Sequence, residues 1–203
     1  QDDFKLVAPP VKLDIRQSGV KSGRVLVLVS CKDGVLIAAA GNGGQAPCVT
    51  DRSQAIAQLL NELAIPHHIV TDEDAFRRAL RSGLYHTVWI SGKQDKLHGD
   101  LSAELREAVY GGTGLLIDAQ HDERNKVIDT AAGISYRGKI GETELEVALS
   151  GPIFAEQRLS TAGRSLQLAP DGSAAHATLH GRKGTMGMAI LAHDFGTGRA
   201  MWL

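Results

Sequence analysis

The sequence predicts an α/β fold: a doubly wound, mostly parallel sheet flanked by helices, with a β-rich C-terminal part. Two observations predict it. Short apolar runs of strand length alternate with segments of helical periodicity between residues 25 and 117. Beyond Asp122 the helical periodicity fades, and short alternating segments follow. Strands that alternate with helices form parallel sheets, because each connection must cross a face of the sheet to return.

Composition limits the classes of function. The chain has 203 residues, which suffices for one domain with a substantial core. Its net charge is −1, and its basic residues cluster only at Arg77, Arg78 and Arg81, so we expect no nucleic-acid partner. No apolar run approaches the ~20 residues of a membrane span, so we expect no membrane insertion.

Two regions are predicted along the chain. Residues 1–23 are predicted to be an N-terminal arm or linker, and residues 24–203 a single α/β domain. In the arm, Phe4–Leu6 and Val11–Ile15 alternate apolar and polar residues, which is typical of edge strands or of a linker. The chain begins without Met and stops in the apolar Met201–Leu203. We therefore expect a mature secreted product or, by preference, a domain excised from a larger chain.

The first strand and helix are well marked. Val25–Val29 is an unbroken run of Val and Leu, typical of a strand buried on both faces. Thr50 or Asp51 can cap the next helix. The apolar residues on one face of that helix are Ile56, Leu59, Leu60 and Leu63. His68–Val70 follows as the second strand.

The next elements repeat this order. Asp72 caps a second helix, in which Phe76 and Leu80 are four residues apart and Gly83 is the stop signal. Thr87–Ile90 is the third strand. A third helix over residues 102–110 leads to the fourth strand, Leu115–Ile117. We expect these four strands to be parallel neighbours in one sheet.

The C-terminal part of the chain has a different pattern of apolar and polar residues. Lys126–Ala132 is predicted to be a short helix, and Glu144–Leu149 alternates like a strand. Residues 150–185 are rich in Gly, Ser and Ala, with short strand-like pieces. Met186–Ala192 and Ala200–Leu203 are predicted strands that a glycine-bearing hairpin loop joins.

Cys31 and Cys48 flank a Gly- and Ala-rich segment. A disulfide between them would close a loop of about 16 residues and stabilise the fold by ~3 kcal/mol. Two separate buried thiols are the alternative. We expect the disulfide, because one cysteine follows a strand and the other precedes a helix. It would place the protein in an oxidising, extracytoplasmic compartment, the periplasm or the cell surface. Gly41–Gly44, in the same segment, lacks the pattern of a phosphate loop and is expected to be an ordinary loop.

Polar residues follow the fourth strand, where an open α/β sheet places ligands. They are Asp118, His121, Asp122 and Glu123. They could form an acid–base pair or a metal site, with Asp72 and Glu73 contributing from the second strand's end. The favoured alternative is that Asp118 accepts backbone hydrogen bonds while the others are solvated. We expect no metal and no cofactor.

Three stretches resemble the class I glutamine amidotransferase-like superfamily, which has a flavodoxin-like fold. Tyr85–Gly92 looks like the family's third strand, whose last glycines build an oxyanion hole. Gly114–His121 looks like the strand and elbow that carry the catalytic cysteine. Phe195–Trp202 is similar to the ending of non-amidotransferase branches, among them trehalose-utilisation-type proteins and the middle domain of some β-galactosidases. The resemblance covers residues 24–203 and extends to domains of large bacterial surface proteins.

The departures from this family concern catalysis. Asp118 stands where the family has its nucleophile, and Gln120 stands where the elbow has a small residue. No His-x-Glu pair occurs between Ser150 and Arg182. Because acyl transfer from glutamine needs a thiolate activated by histidine, we expect no glutaminase activity. The resemblance still implies a ligand-binding edge formed by Ser91, Gly92, Asp118, Gln120 and His121.

We therefore expect a non-catalytic interaction or structural module of a secreted or surface bacterial protein. Its partners would be other domains of a larger parent protein or a cell-surface partner. One alternative is a hydrolase of a sugar or amide substrate that uses Asp118 with His121. A carbohydrate-binding module is a weaker third hypothesis, because few aromatic side chains besides Trp89 and Trp202 could stack on sugars.

Overall fold

The computed structural model describes residues 23–29, 35–36, 48–91, 97, 99–118, 125–141, 144–149, 156–162 and 165–203. The arm over residues 1–22, the loop Gly41–Gly44 and Cys31 lie outside these residues, and so does the side chain of Cys48. The predicted disulfide, arm and loop therefore stay predictions.

Five parallel strands form one half of a nine-stranded sheet. In spatial order they are β4 (His67–Val70), β1 (Val25–Val29), β5 (Thr87–Ser91), β6 (Gly114–Asp118) and β13 (Gly198–Trp202). The first four are the strands that the apolar runs predict, so their prediction as parallel neighbours is confirmed.

Antiparallel strands form the other half of this sheet. They are β12 (Gly184–Phe195), β11 (Ala174–Gly181), β8 (Glu144–Leu149) and β9 (Gln157–Ala162). The β-rich C-terminal part is confirmed. The sheet as a whole is mixed, so the doubly wound, mostly parallel description is not confirmed. The reason is the short connections in this part of the chain, such as the hairpin between β12 and β13, because short turns join only antiparallel strands.

Two small sheets complete the described strands. β7 (Ile134–Ile140) pairs with β10 (Ser165–Pro170), and β2 (Val35–Leu36) pairs with β3 (Cys48–Val49), both antiparallel.

The first two helices begin directly after their predicted capping residues, Thr50 and Asp72, whereas the third begins at Gly99, three residues before its predicted start at Ser102. The helices of the described residues are α1 (Asp51–Glu62), α2 (Glu73–Arg81), α3 (Gly99–Tyr110) and α4 (Lys126–Ala132). The Thr50 hydroxyl accepts a hydrogen bond from the Ser53 amide at 2.9 Å, and an Asp72 carboxylate oxygen accepts one from the Ala75 amide at 2.8 Å. No helix in the described ranges is long and apolar enough to cross a membrane.

The helices pack on two sides of the parallel strands. Ile56 and Leu60 of α1 pack with Val27, Val29 and Trp89. The alternate residues of the same strands, which point to the other face, belong to the main core. That core includes Leu26, Leu28, Val88, Ile90, Leu115 and Ile117 from the strands, with Phe76 of α2, Leu105 of α3 and Ile128 of α4.

Candidate functional site

Two candidate site residues lie side by side at the carboxyl end of the parallel strands. Asp118 ends β6 and is the register partner of Ser91, which ends β5. The Ser91 hydroxyl donates a hydrogen bond of 3.0 Å to Asp118 Oδ2. Ser91 is fully buried, whereas 23% of the Asp118 side chain is exposed. The carboxylate is therefore held from the sheet side and is only partly open to solvent, since its Oδ1 atom is buried.

Arg52 joins this pair from the first turn of α1. Its Nη1 donates a hydrogen bond of 3.3 Å to the Ser91 hydroxyl and lies 3.5 Å from Asp118 Oδ2. The N-terminus of α1 is at this edge because the helix runs back across the sheet from the carboxyl ends of the strands. We call Arg52, Ser91 and Asp118 the strand-end cluster.

In the strand-end cluster, the Arg52 guanidinium donates to the Ser91 hydroxyl, which in turn donates to the Asp118 carboxylate. Since 45% of the Arg52 side chain is exposed, water screens its ion pair, and we assign that pair no more than about 1 kcal/mol. The cluster places a cationic donor and an anionic acceptor next to each other at a solvent-facing edge. This arrangement can bind a polar ligand or fix the edge of the sheet.

Other predicted members of the site are not brought to this edge. The Asp72 carboxylate caps α2, and β1 and β5 lie between β4 and β6. Three strand spacings amount to about 14 Å, so the predicted contribution of Asp72 and Glu73 to the group around Asp118 is wrong. Gly92, Gln120 and His121 lie outside the described residues, as do Asp122 and Glu123, and their predicted roles stay predictions.

The described histidines have local partners elsewhere. His67 and His68 begin β4 at the opposite, amino edge, where their Nδ1 atoms lie 2.9 Å from the Ile65 carbonyl and the Tyr85 hydroxyl, respectively. His193 Nδ1 lies 3.1 Å from the Ala131 carbonyl. Within the described residues, no three His, Cys, Asp or Glu side chains form a group that could hold a metal ion.

Two ion pairs in which an arginine lowers the pKa of a carboxylate also lie away from the strand-end cluster. A hydrogen bond from Arg81 lowers the pKa of Glu104, and this pair joins α2 to α3. A hydrogen bond from Arg199 lowers the pKa of Asp194 in the β12–β13 hairpin. Glu104 is half-buried and Asp194 is exposed, and we assign both carboxylates structural roles.

Arg52 was not predicted from the sequence. The helical pattern indicates which face of α1 is buried but not how far a first-turn side chain reaches. One signal was available: a cation in the first turn of a helix that follows a parallel strand lies at the same edge as the strand ends.

No known protein family matches the sequence, and no curated protein matches it. Solved structures do match the fold. A β-galactosidase from Rahnella sp. R3 has a TM-score of 0.57 and 13% identity over 91% of this chain, which spans only 28% of the enzyme's length. A ThuA-like protein from Bacteroides uniformis has a TM-score of 0.60 and 9% identity, with 92% of this chain and 82% of that protein covered.

A third match is a glutamine amidotransferase from Thermotoga maritima. Its TM-score is 0.53 and its identity 14%, with 91% of this chain and 75% of that protein covered. Identities this low show the fold alone. The chain therefore shares the fold of glutamine amidotransferase-like proteins, a fold that also occurs as part of a longer glycosidase chain.

Proposed function

We propose that this chain is a non-catalytic, amidotransferase-like module that serves as an interaction or structural domain of a larger secreted or surface bacterial protein. One observation carries the proposal. The residue at the end of β6, where the resemblance places a nucleophilic cysteine, is a carboxylate that contacts Ser91 and Arg52.

The contacts of Asp118 work against a nucleophilic role. A nucleophile must offer an electron pair to the substrate, and a nearby base usually activates it. Asp118 Oδ2 instead accepts a hydrogen bond from the Ser91 hydroxyl and lies beside the Arg52 guanidinium. Both neighbours stabilise the negative charge where it is and make the oxygen less reactive.

The module part of the proposal draws on chain length. The matching β-galactosidase is more than three times as long as this chain, since the chain spans 28% of it. A fold that occurs within longer chains is suited to act beside other domains, which are the partners we propose, together with cell-surface partners. The extracytoplasmic location depends on the predicted disulfide between Cys31 and Cys48.

The competing function is hydrolysis of a sugar or amide substrate by Asp118 with His121. The observation that favours it is the position of Asp118 at the carboxyl edge with 23% of its side chain exposed. This is where open α/β sheets bind their ligands.

An activity comparison separates the two functions. We expect the chain to give no turnover above the buffer blank with glutamine, 4-nitrophenyl glycosides or 4-nitroanilide amides, and Asp118→Asn to be indistinguishable from it. Asp194→Asn is the matched control, because Asp194 also pairs with an arginine, at 2.6 Å, but lies in the β12–β13 hairpin. Turnover that Asp118→Asn abolishes and Asp194→Asn retains would establish the hydrolase instead.

A further inference from the structure

A cluster of aromatic and basic side chains lies where the end of α3 meets the β12–β13 hairpin. It consists of Arg106, Tyr110, His193 and Phe195, and we call it the aromatic corner. The Phe195 ring is at its centre, with the guanidinium carbon of Arg106 over that ring, 5.4 Å from the centroid. The Tyr110 ring meets Phe195 edge to face with 5.7 Å between centroids, and the His193 ring lies 6.1 Å from it. These contacts join side chains of two elements into one surface.

The backbone around the aromatic corner holds its rings in place. His193 Nδ1 lies 3.1 Å from the Ala131 carbonyl. The His193 ring also packs on Gly133, where an added Cβ would come within 2.6 Å of it. Gly196 packs on Tyr110 just as closely, since an added Cβ there would come within 2.7 Å of the ring. Side chains that are fixed before binding lose little conformational entropy on binding, so the corner is preorganised for a partner.

Two members of the aromatic corner are open to solvent. Tyr110 is 59% exposed and the Arg106 side chain is 44% exposed. Their spacing of four residues places them on the same side of α3. Within the described ranges, the Arg106 guanidinium has one hydrogen-bond acceptor, the Glu107 carboxylate at 3.2 Å. That ion pair is weak because the Glu107 side chain is 70% exposed, so the corner presents guanidinium N–H donors to solvent.

The carbonyl groups at the end of α3 are already satisfied within the chain. Those of residues 107–110 accept hydrogen bonds from the amides of Gly111, Gly112, Thr113 and Thr197. The Thr197 hydroxyl also donates to the Tyr110 carbonyl, at 3.1 Å. A helix end attracts cations through carbonyls that lack a partner, and these carbonyls have partners. The open hydrogen-bonding capacity of the aromatic corner therefore lies in its donors, which favours an anionic partner.

A single guanidinium beside aromatic rings suits a carboxylate carried by a protein. Arginine binds a carboxylate through two parallel hydrogen bonds, and its one positive charge balances one negative charge. Nucleic acid instead requires several neighbouring cations, and Arg106 is the one arginine of the corner. The rings offer contact area to an apolar side chain next to the carboxylate. Tyrosine, phenylalanine and arginine are the residue types that protein interfaces favour.

We infer that the aromatic corner is an interaction surface for an acidic segment of a partner protein. A carboxylate of that segment binds Arg106, and a neighbouring apolar or aromatic side chain packs on Tyr110 and Phe195. The inference rests on the proposed function in one respect, that the partner is another protein domain. It does not involve the strand-end cluster, because α3 ends at the amino edge of the parallel strands, just before β6 begins.

A peptide titration followed by nitrogen–proton correlation NMR tests the inference. The probe is the tripeptide Phe-Glu-Phe, blocked at both ends, and the matched probe is Phe-Gln-Phe, which lacks the charge. We expect Phe-Glu-Phe to shift the Arg106 side-chain Nε–Hε resonance and the Phe195 amide, with saturation in the millimolar range. Phe-Gln-Phe should bind about tenfold more weakly, because the hydrogen bonds that it lacks are charge-assisted. Arg106→Gln should reduce the affinity for Phe-Glu-Phe to that of Phe-Gln-Phe, whereas Arg78→Gln, the exposed control on α2, should leave it unchanged.

Four outcomes would overturn the inference. Two of them are no saturable shift at the aromatic corner and equal affinity for the two peptides. The third is inorganic phosphate binding there more tightly than Phe-Glu-Phe, which would assign the corner to a phosphate-bearing ligand. The fourth is shifts at the corner that depend on protein concentration without peptide, which would assign it to a second copy of the chain. The proposed function has its own test in the activity comparison of Asp118, so the two failures are distinguishable.

Discussion

Replacing Val27 with Asp is expected to leave no soluble, cooperatively folding protein. Val27 is fully buried at the centre of β1, between Ile69 of β4 and Trp89 of β5, in the cluster that Ile56 of α1 covers. An unpaired buried charge costs about 3–5 kcal/mol, and the new side chain also disturbs the packing around it. A domain stabilised by only about 5–15 kcal/mol loses much of its stability.

The measurement is the soluble fraction after expression, followed by thermal unfolding monitored by circular dichroism. Leu84→Asp is the control, because Leu84 is 56% exposed and the same change there buries no charge. We expect Leu84→Asp to unfold cooperatively near the temperature of the unmodified chain. Cooperative unfolding of Val27→Asp at that temperature would show that β1 is not a core strand.

Introducing a thiol at the strand end is expected to give no glutaminase activity. Thiolate, positioned histidine and oxyanion donors act as a unit, and loss of one member removes most of the rate. In Asp118→Cys the thiol would stand beside Ser91 and Arg52. His176 is too far away to help, because it lies on β11, which β12 and β13 separate from β6.

Ammonia release from glutamine by Asp118→Cys should stay at the rate of the unmodified chain. A thiol titration in denaturant after reduction should find one thiol more than in the unmodified chain, which confirms the substitution. Glutamine turnover by this variant would contradict the prediction and would indicate a histidine already in position, with His121 the first to test.

The parallel half of the sheet was predictable because its signals are local. An unbroken apolar run such as Val25–Val29 fits only a strand covered on both faces, and Thr50 and Asp72 mark helix starts through their own hydrogen bonds. The antiparallel half was not predictable in detail. The pairing of β11 with β12 shifts register near Ala177 and His180. Such irregularities break the apolar–polar alternation that identifies strands.

The candidate site was partly predictable for the same reason. Ser91 and Asp118 follow directly from the ends of two adjacent parallel strands. The contact of Arg52 with Asp118 depends on how far a long side chain extends. The separation of Asp72 from Asp118 depends on the order of strands in the sheet. Neither of these is encoded in local periodicity.

The central claim is that Asp118 stabilises the edge of the sheet rather than performing chemistry, and the free energy of unfolding of Asp118→Ala tests it most directly. The substitution removes the acceptor of the buried Ser91 hydroxyl and the partner of Arg52, so we predict a loss of about 1–3 kcal/mol. Asp194→Ala, the exposed control, should stay within about 0.5 kcal/mol of the unmodified chain. Catalytic groups are often held at a cost in stability, so removing one can stabilise a fold. An Asp118→Ala variant as stable as the unmodified chain, or more stable, would contradict the claim.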